Sequence, residues 1–240
     1  MPRIRVITFD LDNTLWDVVP VISGAERRML QWLEEAVPEV LSLYSDGGAV
    51  ADIRDDLIEE QPAIVHDVSS LREELTFRCI RRVGKDTQSA RKLARGAFNV
   101  FLEARHEIEF FDGALDTLDR LSRNYTLGSL TNGNADPKRL QLDRFFSFSF
   151  SAATVGTGKP APDMFERVLS HADVRADEAV HVGDHPIDDI QGAANVGMHT
   201  VWANGPKQRA LRGAETAVEA TVEIERLEDL DAAIRHIESL

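Results

Sequence analysis

Ile4-Arg-Val-Ile-Thr-Phe9-Asp10-Leu-Asp12-Asn-Thr14 passes from a β-compatible, mostly apolar run directly into two carboxylates two residues apart. A short apolar run of this length, rich in β-branched residues, predicts a buried strand. Asp10 and Asp12 then stand where that strand stops. In isolation, an Asx-type turn accounts for such an ending equally well. Three downstream segments favour a chemical reading. Tyr125-Thr-Leu-Gly-Ser-Leu130 ends in Thr131-Asn132-Gly133, and Ala179-Val-His-Val182 ends in Gly183-Asp184, with Asp188 and Asp189 just beyond. Between them, Gly158-Lys159-Pro160 precedes a predicted helix over Pro162 to His171. In an open parallel α/β sheet, ligands bind outside the carboxyl ends of the strands, so polar residues after three separate strands converge on one site. A turn explains each segment alone, but not their convergence.

Composition sets limits on the partners. The 240 residues suffice for a buried core, as one large domain or as a core with an insertion. A net charge of −14 argues against nucleic acid as a partner, because phosphate backbones are bound by an excess of Lys and Arg. A small anionic substrate is compatible with it, since a local cation inverts the field at a site. The one cysteine, Cys79, cannot form an intramolecular disulfide. No leader follows Met1-Pro2-Arg3 and no apolar stretch approaches ~18 residues, so the expectation is a cytoplasmic protein with no membrane span.

Between Thr14 and Thr131 the organisation changes. Strand and helix patterns alternate elsewhere, whereas residues from about 20 to 105 read as helix only. Ser23-Gly-Ala-Glu26 has the form of a capping box opening a helix with Met29, Leu30, Leu33 and Val37 on one face, closed by Pro38. A weaker pattern through Ile53, Leu57 and Ile58 stops near Pro62. Ser70-Leu-Arg-Glu73 predicts another box, with Gly84 as terminator, and Asp86 caps a last helix carrying Leu93, Ala94, Ala97, Phe101 and Leu102. The expected fold is therefore α/β, a Rossmann-like doubly wound parallel sheet with an inserted four-helix unit. Its core spans 1–18 and 107–240, and the insertion 19–106. Trp16 reads either as a hydrophobe beside the catalytic loop or as a stacking surface, Arg72 as a solvated helix face, and Trp202 as packing.

Taken together, these motifs resemble the haloacid dehalogenase superfamily in its phosphatase branch, with its helical cap. Asp10, Asp12 and Thr14 match the first motif, Thr131 the second, Lys159 the third, and Asp184 with Asp189 the fourth. Asp188 competes for that last place, but Asp189-Ile-Gln-Gly-Ala193 resembles the family's ending. The resemblance implies a phosphatase working through an aspartyl-phosphate, with Asp10 as nucleophile and Asp12 as general acid and base. It implies Mg2+ held by Asp10, Asp184 and the backbone carbonyl of Asp12, with Asp189 holding a metal-bound water. Lys159 neutralises charge, and Thr131, Asn132 and Lys159 bind phosphate. In the cap, the loop containing His66 and Asp67, with Arg72, is the expected contact to the rest of the substrate if the resemblance extends there, although loop statistics favour an ordinary interhelix loop over Pro62–Val68.

The substrate implied is a small phosphorylated metabolite. Phe9-Asp-Leu-Asp-Asn-Thr-Leu15, Ile64-Val-His-Asp67-Val68 and Leu130-Thr-Asn-Gly-Asn-Ala135 look like the bacterial flavin mononucleotide phosphatases, which also act on 5-amino-6-(5-phospho-D-ribitylamino)uracil. Phosphoglycolate, nucleotides and sugar phosphates are the alternatives. A 2-haloacid dehalogenase is the rival on the same fold. By resemblance such enzymes lack the carboxylate at the position of Asp12, since a departing halide needs no proton. A phosphomutase or a non-catalytic phosphate-binding module are the remaining readings.

Overall fold

Strand β1 (Val6–Phe9) is buried at all four positions, as expected of a parallel strand covered on both faces. In the computed structural model, which describes residues 4–46, 48–206, 209 and 218–240, it is a central strand of a six-stranded sheet. The others are β2 (Thr126–Thr131), β3 (Phe146–Ser151), β4 (Ala179–Gly183), β5 (His199–Ala203) and β6 (Val222–Ile224). Every pairing is parallel, in the order β3-β2-β1-β4-β5-β6. The chain thus builds outward from β1 on one side through β2 and β3, then crosses back to place β4 on the other. This reversal leaves a crevice beyond the carboxyl ends of β1 and β4, the position where doubly wound sheets bind ligands. Where β2 meets β3 the register slips beside Leu127 and Gly128. A Cβ on Gly128 would lie 2.1 Å from the Phe148 ring, so only glycine lets that ring lie against the strand.

The chain divides into two compact units, Met1–Asp17 with Glu109–Leu240, and Val18–Ile108. The second is inserted between β1 and β2, and its regular elements among the described residues are all helical. Its helices are α1 (Val18–Ala36), α2 (Leu41–Ser45), α3 (Ala49–Glu60), α4 (Val68–Arg82) and α5 (Thr87–Ala104). Its core gathers Leu33, Val37, Ile53, Ala94 and Phe101, positions the predicted apolar stripes name, together with Ile80. The other unit adds α6 (Ala114–Ser122), α7 (Ala152–Val155), α8 (Asp163–Ala172), α9 (Gly192–Asn195) and α10 (Leu230–Ile237). Helix α8 buries Met164, Phe165 and Val168 with Val6, Leu130 and Ala179 of the sheet. No helix of the described residues is long and apolar enough to cross a membrane.

Two helix starts differ from expectation. Helix α1 begins at Val18, five residues before the box expected at Ser23 and Glu26. Pro20 is tolerated there because the first four amides of a helix have no carbonyl to meet. Helix α4 is capped not by Ser70 but by Asp67, whose Oδ1 accepts from the amides of Ser69 and Ser70 at 3.1 and 3.0 Å. A carboxylate outcompetes a serine three residues on, because it takes two orphan amides and favours the positive end of the helix dipole. The short α2 is an addition to the four expected helices. Asp86 caps α5 as read from sequence, accepting from Gln88 and Ser89. Gly84 sits at φ +90° after α4, a conformation that a Cβ would strain.

Asp67→Ala is expected to destabilise the helical unit by about 1 kcal/mol, and Ser70→Ala by clearly less. Urea denaturation followed by circular dichroism measures both. A larger cost for Ser70→Ala would return the cap to Ser70.

Candidate active site

Asp10 follows β1 directly, its amide donating to Val182 O at 2.8 Å, so it is anchored between β1 and β4. The chain then turns tightly. Thr14 and Leu15 amides return to Leu11 O, and Asn13 takes φ +61°, a left-handed conformation that asparagine tolerates better than most residues. The turn brings Thr14 Oγ1 to 3.3 Å from Asp10 Oδ2 and 3.5 Å from Asp184 Oδ1. It also lets the fully buried Trp16 donate its indole N–H to Asp12 Oδ1 at 2.9 Å, with Phe110 edge-on against the ring. Trp16 is therefore neither a hydrophobe alone nor a stacking surface. It fixes the second carboxylate of the motif.

Lys159 arrives from the loop between α7 and α8, and its side chain is buried. Its ammonium donates to Asp10 Oδ1 at 2.7 Å, Asp189 Oδ1 at 2.6 Å and Leu130 O at 2.8 Å. All three N–H directions are used. The ammonium thus neutralises charge through Asp10, and contact with a phosphoryl oxygen would require one of these bonds to be exchanged. Asn132 holds the Lys159 backbone from both sides, accepting from its amide at 2.8 Å and donating to its carbonyl at 2.9 Å. The Asn132 amide therefore positions Lys159. Thr131 Oγ1 accepts from the Gly133 amide at 2.9 Å.

The fourth segment begins as a widened helical turn over Pro186–Gln191, in which the Asp189 and Ile190 amides both reach His185 O. Turns of this kind recur at functional sites. The geometry folds Asp189 back, so that its Oδ2 accepts from the His185 amide at 2.9 Å while Oδ1 meets Lys159 and His181. Asp188 lies beside His185 instead, at 3.6 Å. The two acids are separated by the site, and Asp189 is the one on Lys159. Gly183 makes room for it. Trp202 is tied to the same loop, donating to Asp184 O at 2.9 Å, a tether that periodicity alone does not reveal because only the indole nitrogen does the work.

Asp10, Asp184 and Asp189 offer carboxylate oxygens within 4.8 Å of one another, all three residues being buried. Burial pushes the Asp10 carboxyl well above its usual range, reinforced by Asp189 and Asp184 and opposed by Lys159. Burial acts on Asp189 too, but Lys159 and His181 outweigh it and hold that carboxyl well below the usual range. Around Lys159, Asp10 and Asp189 likewise overcome burial and keep the amine protonated. Three carboxylates around one ammonium form an oxygen-only donor set with excess negative charge, which fits a hard divalent cation.

The residues expected to touch the rest of the substrate are placed in the helical unit. Asp67 is engaged as the α4 cap, its Oδ2 also meeting Ser70 Oγ at 2.6 Å. Arg72 is not on a solvated face. Its guanidinium lies 3.8 Å over the Phe101 ring and pairs with Glu26 at 3.1 Å, bordering a cavity of about 430 Å3 with Tyr44 and Leu75. His66 ends a single tight turn over Pro62–His66.

The family model for haloacid dehalogenase-like hydrolases matches residues 4–197. Over 232 residues the chain is 31% identical to the 5-amino-6-(5-phospho-D-ribitylamino)uracil phosphatase YigB of Escherichia coli (strain K12), covering 97% of each. It is 30% identical to the glyceraldehyde 3-phosphate phosphatase of Pyrococcus furiosus, over 84% of this chain and 81% of that protein. A solved structure described as the 2-haloacid dehalogenase of Pseudomonas syringae pv. Tomato DC3000 superposes with a TM-score of 0.89 at 38% identity, covering 97% of this chain and 99% of that one. The chain belongs to the haloacid dehalogenase-like hydrolase family, and the relatives it matches include phosphatases. The acidic cluster is consistent with the divalent metal site of that family.

Gly183→Ala tests the packing around Asp189. A Cβ there would lie 2.2 Å from Asp189 Cγ, so the carboxylate must move off Lys159. The expected result is a loss of about 1–3 kcal/mol in stability together with a fall in turnover. A variant with the melting temperature and activity of the parent would contradict this packing.

Proposed function

We propose that this family member is a Mg2+-dependent phosphomonoester hydrolase acting through an aspartyl-phosphate on Asp10. The observation that carries the reading is the pairing of a Lys159-bound carboxylate, Asp10, with a second carboxylate, Asp12, that Trp16 holds two residues away. In the first step an Asp10 oxygen attacks phosphorus while Asp12 gives its proton to the departing alkoxide. In the second, Asp12 takes a proton from water, the resulting hydroxide attacks phosphorus, and phosphate leaves Asp10. Lys159 offsets the charge of Asp10, and Thr14 bonds both Asp10 and Asp184. Asp10, Asp184 and the carbonyl of Asp12 would hold the cation, with Asp189 acting through a bound water. The cation would stabilise the negative charge on the transferring phosphoryl group.

For the substrate we propose flavin mononucleotide or the ribitylaminouracil phosphate. The short sequence matches and the relative 31% identical that acts on the latter support it. Glyceraldehyde 3-phosphate, phosphoglycolate, nucleotides and sugar phosphates form the comparison panel, the first suggested by the Pyrococcus furiosus relative. The ribityl phosphates are expected to lead that panel in kcat/KM, and a higher rank for any other member would transfer the assignment to it.

The likeness to a structure described as a 2-haloacid dehalogenase favours a second reading, in which Asp10 displaces halide from a 2-haloacid. Measuring phosphate release from p-nitrophenyl phosphate and chloride release from 2-chloropropionate on the same preparation decides between them. Phosphate release alone is expected, and Asp10→Asn should lower it by at least about three orders of magnitude. Chloride release without phosphate release would overturn the phosphatase reading.

The metal assignment has its own test. Chelation should abolish turnover and added Mg2+ restore it, with Asp184→Ala needing much more Mg2+ than Asp189→Ala. Full activity after exhaustive chelation would refute the requirement.

A further inference from the structure

His181 lies in the middle of β4, fully buried, and nothing in the proposed chemistry uses it. A buried imidazole needs partners for both nitrogens, and here both are found. Nδ1 lies 2.8 Å from Thr8 Oγ1, and Nε2 lies 3.1 Å from Asp189 Oδ1. Thr8 and His181 are register partners across β1 and β4, which puts their side chains on the same face of the sheet. The ring also meets Phe165 of α8 edge-on, at 5.2 Å between centroids. Its position is thus fixed by two strands and a helix.

The tautomer follows from the partners. Asp189 pairs with the Lys159 ammonium at 2.6 Å and offers only acceptors, so His181 carries its proton on Nε2. Nδ1 is then an acceptor, and the Thr8 hydroxyl donates to it at 2.8 Å in preference to Val180 O at 3.3 Å. The result is one directed chain from Thr8 through His181 to Asp189. Lys159 then donates to Asp189 and Asp10 together.

We propose that His181 is a positioning residue for this active site: its Nε2–H fixes Oδ1 of Asp189, and Asp189 in turn fixes the Lys159 ammonium on Asp10. Oδ1 has two donors, Lys159 and His181, while Oδ2 has the His185 amide. The carboxylate cannot turn without breaking bonds at both oxygens. Its approach to a cation or a water is thereby confined to Oδ2. Without His181, Oδ1 keeps only its bond to Lys159. The ammonium and carboxylate are then free to shift together away from Asp10.

The test compares His181→Gln, whose amide N–H reaches the place of Nε2–H, with His181→Leu, which fills space and donates nothing. The kinetic arm rests on the phosphatase reading and uses p-nitrophenyl phosphate with Mg2+. His181→Leu should lower kcat by about 10–100-fold, the range typical of lost supports behind a site, with KM nearly unchanged. His181→Gln should keep kcat within a few-fold of the parent. Equal damage by both variants would mean that His181 only packs, and parental kcat in His181→Leu would remove the role altogether. The second arm needs no turnover and no metal. In 15N-labelled protein the His181 ring should show a proton on Nε2 and none on Nδ1, and the Lys159 ammonium resonance should move in His181→Leu but not in His181→Gln. A proton on Nδ1, or an ammonium resonance indifferent to His181→Leu, would overturn the proposal even if the phosphatase reading stands. Absence of phosphatase activity in the parent would fail that reading while leaving the spectroscopic arm to decide this one.

Discussion

A single buried ammonium organises the active-site half of this molecule. Lys159 brings a full positive charge under the carboxyl ends of the strands, and the site can hold it only by supplying a carbonyl and two carboxylates. With an effective dielectric constant near 20, an ion pair at 2.7 Å attracts by about 6 kcal/mol. Burying each ion costs several kcal/mol, so the cluster is close to break-even as a stabilising element. Its presence is better explained by chemistry than by stability. Removing any member would strand the others in a poorly solvated place, which makes the group act as a unit.

That requirement accounts for features that are otherwise unconnected. Lys159 can reach Asp10 because β1 is central, with β2 on one side and β4 on the other, so that residues far apart in sequence end at one rim. Asn132 grips the Lys159 backbone, and Gly183 leaves space for Asp189 to fold back. Two indoles tie down the acidic loops, Trp16 through the side chain of Asp12 and Trp202 through the carbonyl of Asp184. Each of these residues limits the freedom of one charged group. Together they pre-organise the crevice before any substrate enters, which is how a polar site avoids reorganisation during reaction.

The strands that carry the site and the residues at their ends are legible in the sequence because two strong signals coincide there, an apolar β-compatible run and a sudden carboxylate or polar turn. The cap of α5 is equally plain, since Asp86 is the first residue after Gly84 able to cap a helix. The starts of α1 and α4 are not. Ser23 and Ser70 satisfy the local pattern, but α1 runs upstream of Ser23 to Val18 with Pro20 admitted in its first turn, and Asp67 upstream of Ser70 is the stronger acceptor. What the sequence hides most completely is the support behind the site. His181 and Thr8 sit at ordinary strand positions, and only the register of β1 against β4 makes them neighbours. Asn132 belongs to a turn signal that masks its grip on Lys159. The Thr8–His181 and Asn132–Lys159 contacts span 173 and 27 residues of sequence, and local periodicity carries no record of them.

The likenesses to phosphatases and to a structure described as a dehalogenase are compatible, because the Asp10 and Lys159 pair would serve either displacement in the mechanism proposed. A carboxylate nucleophile opposite a fixed cation can attack phosphorus or a carbon bearing halide. The two reactions differ in what departs. A halide is stable as an anion, whereas an alkoxide must be protonated as the bond breaks. Asp12 is useful only in the second case. It is not an incidental surface acid here, since Trp16 holds it across a tight turn and the Trp16 ring is itself fully buried against Phe110. Structure spent on orienting an acid beside the proposed nucleophile has a purpose when a proton must be delivered, and this is the physical reason for proposing phosphoryl transfer rather than halide displacement.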